Sequence, residues 1–269
     1  MSQSYRWESN WNCFKEDLPH QKFPFSKKNW GNNNHSLCSY QGKLKPAIGY
    51  HLVKTFVPAG GKLFDPFSGV GTIPFEGALN GIASYGMDIS KMCYYISQAK
   101  IGETDKAFAE QCIERLDDYI RTNCVTIEEF AKYSRFGLNK RLIDYYEETT
   151  FKEILLARRF FIDNKPVNAS EMVVISSLLH ILHGNRPYAL SRKSHSITPY
   201  APSGEFEYRN LICRLAAKVD KYFSQKLPES FISGQIYLQD STLSWPDEIQ
   251  DIDAIITSPP FFDSTRFYS

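Results

Sequence analysis

No apolar stretch in these 269 residues approaches the roughly 20 needed to span a bilayer, and the opening MSQSYRWESNWN lacks the basic and apolar regions of a signal peptide. A cytoplasmic protein is the expectation. The six cysteines, at 13, 38, 93, 112, 124 and 213, include no C-x-x-C pair and no Cys/His cluster with metal spacing, so neither a disulfide framework nor a metal centre is expected. None of the six follows a proline. An excess of one charge is missing too: 31 Lys and Arg face 30 Asp and Glu, a net charge of +1, so whole-chain charge points to no class of partner. There is no internal repeat and no low-complexity tract. With 42% apolar and 14% aromatic residues, the chain can bury one good-sized core, or a core and a helical appendage.

Residues 1–36 are polar, rich in Trp and Asn, and show no sustained period, which reads as an N-terminal extension. From Pro46 a helical pattern of Ile48, Leu52, Val53 and Phe56 runs to the turn PAGG at 58–61. KLFD (62–65) follows as a short buried strand, GTIPFEGALNG (71–81) as a helix closed by Asn80-Gly81, and IASYGMDIS (82–90) as a second strand. Strand, glycine loop, helix, strand is one unit of a parallel α/β sheet. After Asp88 strand signals vanish for about 140 residues. Helical spacing occupies 91–122, 126–163 and 169–183, with a capping box at Thr126 and Glu129 and a stop at Gly184, and a further helix is expected over 205–223. Strands resume only with GQIYLQDS (234–241) and DIDAIITSPP (251–260). A helical insert, 95–233, thus divides a core made of 37–94 and 234–269.

In DPFSGVGT (65–72) Asp65 ends a strand, and Gly69 and Gly71 form the turn that opens a helix. Such a turn admits a ligand close to the backbone. Asp88, seventeen residues beyond Gly71, ends the next strand, where an acid can bind the two hydroxyls of a ribose. Dinucleotide folds place a third glycine where Pro74 stands, and the Lys-Ser/Thr pair of a P-loop is absent. An adenosine-containing cofactor handled without a phosphate cradle fits best.

Asp65-Pro66-Phe67-Ser68-Gly69-Val70-Gly71-Thr72 resembles motif I of the S-adenosylmethionine-dependent DNA amino-methyltransferases, and Ser258-Pro259-Pro260-Phe261 resembles their motif IV, [DNS]-P-P-[YFW]. The resemblance implies a Rossmann-like sheet with S-adenosyl-L-methionine bound by Asp65, Phe67, Ser68, Gly69, Gly71, Thr72 and Asp88. Asp240, at the end of IYLQD, would then meet the adenine, or else serve as a helix cap. SYQGKLKP (39–46) resembles motif X, whose following helix lies beside the cofactor, or is a surface loop. Ser258, Pro259, Pro260 and Phe261 would be the catalytic set. An exocyclic amino group is a poor nucleophile because its lone pair is delocalised into the ring. The Ser258 hydroxyl and the Pro259 carbonyl would accept from its two N–H bonds, the prolines would fix both acceptors, and Phe261 would stack on a flipped base. Methylation at a ring carbon of cytosine would need a thiol, which that family places after a proline.

Residues 131–226 carry sixteen Lys and Arg against nine acids, a net +7, whereas 95–130 carry four against eight, a net −4. Within the basic part, 185–204 has no period and no acid, and offers Arg186, Tyr188, Arg192 and Lys193 as DNA contacts, with His195 and Tyr200 nearby; the alternative is a solvated basic face. DNA is therefore the expected partner. Serine at 258 favours cytosine N4 over adenine N6 in the resembled family. An RNA amino-methyltransferase and a non-catalytic DNA- or partner-binding subunit are the competing readings. The family's sheet has seven strands in the order 3-2-1-4-5-7-6, and this sequence accounts for the first four, 3-2-1-4; a fragment, or a second polypeptide supplying the rest, is expected, and with it an isolated chain that is inactive or poorly soluble until that segment is added.

Overall fold

Four parallel strands, β1 (Lys62–Asp65), β2 (Ala83–Asp88), β3 (Gln235–Leu238) and β4 (Ala254–Ile255), join in the order β3-β2-β1-β4. This is the Rossmann-like α/β order expected for strands one to four. The computed structural model describes residues 3–27, 30–40, 42–135, 143, 146–184 and 207–259, divided into one unit of 1–104 with 225–269 and another of 105–224.

In the first unit Leu63 is in register with Ser84 and Ala254, and Phe64 with Tyr85 and Ile255, so alternate residues face opposite sides of the sheet. On one side Leu63 and Ala254 join Val53 and Phe56 of α2 (Pro46–Phe56) and Ile73 of α3 (Thr72–Leu79). Phe75 and Ala78 of α3 meet Ile101 of α4 (Lys91–Ile101) and Ile236 of β3. On the other side Phe64 and Met87 pack with Ile249. Fully burying each such side chain is worth about 1.5–3 kcal/mol.

Buried polar groups tie irregular chain to this frame. His35 Nε2 lies 2.7 Å from Glu76 Oε1 of α3, both residues are buried, and Lys43 Nζ donates to the His35 carbonyl at 2.9 Å. Lys100 of α4 is also fully buried, its ammonium 5.7 Å from the centre of the Phe75 ring. Burial raises the Glu76 carboxyl and lowers the Lys100 amine, while burial and then the two lysines keep the His35 imidazole neutral.

The polar opening, in which no period is visible, contains α1 (Gln3–Asp17). Aromatic anchoring holds it: the Trp7 ring stacks on Phe56 at 5.1 Å, and Trp11 lies 6.2 Å from the same ring.

The second unit is helical: α5 (Lys106–Thr122), α6 (Ile127–Ser134), α7 (Glu148–Asp163), α8 (Ala169–Gly184) and α9 (Leu211–Phe223). Leu116, Phe151, Ala157, Val173 and Leu215 are buried in it. Thr126 Oγ1 accepts from the Glu129 amide at 3.1 Å, one half of the capping box; the Glu129 carboxylate turns instead to Arg159 at 3.6 Å. The last helix starts at Leu211 rather than near 205. Asn210 caps it through the Cys213 amide at 2.7 Å, and residues 207–210 are held extended by α7. No described helix is long and apolar enough to cross a membrane.

Gly71 has φ +70°, and a Cβ there would lie 2.5 Å from Ser97 Cβ; Gly69 has φ +51°, and nothing lies within 4 Å of its virtual Cβ. Gly71→Ala should therefore cost about 2–4 kcal/mol, from backbone strain and overpacking together, and Gly69→Ala about 1–2 kcal/mol, from strain alone. Urea unfolding of the two variants checks the order, which an equal loss would refute.

Candidate cofactor and catalytic site

In a parallel sheet the carboxyl ends of the strands leave a crevice in which ligands bind. Here those ends bring together Asp65 at the end of β1, Asp88 at the end of β2, and Thr257 and Ser258 beyond β4. The Ile256 amide donates to the Phe64 carbonyl at 3.1 Å, which carries the β1–β4 register one residue past the strand and sets Thr257 and Ser258 beside the start of the glycine turn.

Asp65 is 2% exposed. Its Oδ1 accepts from the Phe67 amide at 3.1 Å, and the Thr257 hydroxyl hydrogen-bonds to the same carboxyl. Burial, reinforced by the charge of Asp88 and only partly offset by these bonds, pushes Asp65 up to about 7. A carboxyl raised in the folded state gives up stability as pH climbs from its ordinary value near 4 to about 7, because over that range the folded chain binds more proton than the unfolded one.

The turn between β1 and α3 is fixed from behind and open in front. The Ser68 amide donates to the Met87 carbonyl at 2.9 Å, the Gly71 amide to the Ser68 carbonyl at 2.7 Å, and the Ser97 hydroxyl of α4 to the Gly69 carbonyl at 3.2 Å. Asp88 completes the clamp: one carboxylate oxygen accepts from the Gly69 amide at 2.9 Å, the other from the Ser90 amide at 2.8 Å. Each oxygen keeps a second lone pair for a ligand hydroxyl. Burial raises the Asp88 carboxyl, and the two amide bonds oppose the shift. Phe67 is partly exposed at 37%, whereas Ser68 and Thr72 are buried.

Residues on either side of position 41, Tyr40 and Leu44, lie against the helices that bracket this turn. The Thr72 hydroxyl is 3.5 Å from the Leu44 carbonyl, and the Tyr40 side chain hydrogen-bonds Cys93 near the start of α4. Burial pushes the Cys93 thiol up, so it is no nucleophile. Asp240 holds a turn, with Oδ1 accepting from the Thr242 amide at 2.9 Å and hydroxyl at 2.7 Å, and no helix follows it. The Gln239 amide donates to the Asp88 carbonyl at 3.2 Å, which brings the end of β3 alongside the end of β2. Ser258 and Pro259 are exposed. Pro260, Phe261, Arg186, Tyr188, Arg192 and Lys193 lie outside the described residues.

Three residues escaped sequence reasoning. Thr257 binds the Asp65 carboxyl, and the available signal was a hydroxyl residue abutting the SPPF tetrapeptide. Ile89, 66% exposed beside Asp88, and Leu243, 82% exposed beyond Asp240, are large apolar side chains left in solvent next to acids. A flat, partly apolar ligand would cover such surface. The described residues hold no group of three or more His, Cys, Asp and Glu able to bind a metal. Two acids, an open backbone turn and flanking apolar residues suit a ligand with ribose hydroxyls and a cationic end.

Residues 34–129 match the family described as UPF0020: RMKL-like, methyltransferase domain, a stretch that includes 39–46, the glycine turn and Asp88. Over 250 residues the chain is 24% identical to the type II methyltransferase M.MvaI of Kocuria varians; the alignment covers 87% of this chain and 55% of that protein, so the chain spans about half its relative's length. No solved structure matches. The glycine turn clamped by Asp88 is thus part of a methyltransferase domain, and the chain as a whole is distantly similar to a type II methyltransferase.

Proposed function

We propose that this chain transfers a methyl group from S-adenosylmethionine to an exocyclic amino group of a DNA base, cytosine N4 in preference to adenine N6. The position of Thr257 and Ser258 supports this reading, because the Ile256 amide donating to the Phe64 carbonyl at 3.1 Å brings the residues that follow β4 to the carboxyl end of β1, where Asp65 stands. Transfer to nitrogen asks for alignment of two reactants rather than a covalent intermediate, and alignment is what a shared contact supplies. The type II designation of the relative, a term for the methyltransferases of restriction–modification systems, supports DNA as the substrate.

Bound S-adenosylmethionine supplies an electrophilic methyl group. The residues of this chain do the rest. Asp88 receives the ribose hydroxyls on its free lone pairs, the bare backbone at Gly69 lets the ligand approach, and Asp65, once ionised, faces the cationic methionine end. Ser258 and Pro259, at the exposed mouth, accept from the two N–H bonds of the target amino group and draw it toward tetrahedral geometry. Burial raises the Cys93 thiol and pushes that of Cys112 up to about 11.

Asp88→Ala and Gly69→Val should each weaken S-adenosylhomocysteine binding by about 1–3 kcal/mol, the first by losing charge-assisted hydrogen bonds and the second by placing a side chain in the ligand's space. Calorimetry measures this, and unchanged affinity in both removes the cofactor assignment. Affinity for S-adenosylmethionine should rise between pH 6 and 7.5, by at most about tenfold per unit for one proton, as Asp65 ionises. Asp65→Asn should flatten that rise.

Ser258→Ala should abolish methyl transfer with little change in DNA affinity. The product is read by mass analysis of nucleosides after incubating labelled cofactor and DNA with the chain, with and without a C-terminal segment supplied in trans. N4-methylcytosine is expected; methylated guanosine in RNA, with none in DNA, would overturn the assignment.

A further inference from the structure

The second unit spends buried polar groups on one short stretch of backbone. Thr150 of α7, fully buried, accepts from the Arg209 amide at 2.9 Å and lies 3.3 Å from the Arg209 carbonyl, which takes its hydroxyl hydrogen. Glu153, one turn later on α7 and also buried, accepts from the Tyr208 hydroxyl at 2.6 Å and from the Leu211 amide at 2.8 Å. Both of its oxygens are taken by uncharged donors. Residues 208–211 are thereby fixed on both sides of Arg209, and the Asn210 cap then fixes the first turn of α9.

What this platform presents is positive charge. Arg209 precedes α9 and lies 4.0 Å from the exposed Glu207, and Arg214, half-buried, sits one turn into the helix. Arg214 is lowered from its ordinary value first by burial and then by the charge of Arg209. No carboxylate pairs with Arg214 or Lys221 among the described residues. Several other cations of this unit do have carboxylate partners: Arg115 with Glu171, Arg121 with Asp117, Arg159 with Glu129 and Lys152 with Glu148. On a helical wheel Arg214, Lys218 and Lys221 fall within about 60° of one another, on one flank of the buried stripe Leu211, Leu215, Val219 and Tyr222. They span about 10 Å of helix axis, over which a nucleic-acid strand offers about three phosphates. A merely solvated face needs no pinned backbone and gains nothing from two like charges held together.

We propose that Arg209 and Arg214, continued by Lys218 and Lys221, form a preorganised ridge that binds the phosphodiester backbone of nucleic acid. It deepens the DNA reading of the function and rests on it. The ridge adds affinity and register without reading sequence, since phosphate contacts position a duplex and base contacts specify it.

The experiment follows binding of the full chain to a labelled DNA duplex, by fluorescence anisotropy across a series of salt concentrations, with an RNA duplex of equal length as a second arm. Arg209→Gln with Arg214→Gln should weaken DNA binding about tenfold or more and make the log–log salt slope shallower by about 1.8, two phosphate contacts at about 0.9 each. Lys165→Gln, removing one exposed charge beyond the far end of α7, should leave the slope within about 0.3 of the parent. Thermal melts of all variants confirm that they fold. An unchanged slope in a folded double variant overturns the ridge while leaving methyl transfer untouched. A changed slope on RNA alone overturns the DNA arm and turns the function toward RNA. A changed slope on DNA without base methylation, even with the C-terminal segment supplied in trans, keeps the ridge and sinks the transferase reading.

Discussion

A carboxyl group buried at the end of β1 has to be satisfied, and the arrangement of the site follows from how that is done. Asp65 takes one bond from the backbone two residues on and one from a threonine 192 positions later, so the glycine turn and the chain leaving β4 meet at one carboxyl. Burying an ionised carboxylate costs several kcal/mol even when hydrogen-bonded, and the chain meets this by letting the group hold its proton up to about pH 7. A ligand with a cationic end would change that balance, so on the proposed reading Asp65 is where proton, cofactor and fold are coupled.

The same device recurs wherever irregular backbone must be held. Asp88 binds the turn amide and the first amide of the next loop; Glu76 holds the segment around His35; Glu153 holds the approach to α9. Each is an acid on a regular element whose partners lie on chain without a period of its own. The helices and strands supply rigidity through apolar burial, and the acids export it to neighbouring loops. Losing one such acid would leave buried donors unpaired at about 1–3 kcal/mol each, a cost concentrated in the functional loops and not in the core.

Much of this was legible in the sequence because it depends on neighbours along the chain. The four strands, the Gly69–Gly71 turn, the Asn80-Gly81 stop and the Thr126 cap are signalled by residues within one turn of where they act. What escaped depends on distant contacts. α1 has no apolar stripe of its own and is held by Phe56, some forty residues away. The start of α9 is delayed because Thr150 and Glu153, nearly sixty residues earlier, claim the backbone that helical spacing would otherwise extend. Thr257 looked like the last residue of a strand, and its partner is at the other end of the sequence. Ile89 looks like strand interior because IASYGMDIS reads as one strand through residue 90, whereas β2 ends at Asp88 and leaves Ile89 exposed.

The chemistry of the site turns on which groups can give up a proton. Attack at a ring carbon requires a thiolate, and burial raises both Cys93 beside the glycine turn and Cys112 in the helical unit, away from nucleophilic character. The groups that remain at the mouth, a serine hydroxyl and a proline carbonyl, are hydrogen-bond acceptors of little acidity. Acceptors do nothing for a carbon nucleophile. On the proposed reading they would draw both N–H bonds of an amino group out of the ring plane and free its lone pair, which is why transfer to nitrogen asks for acceptors and for no thiolate.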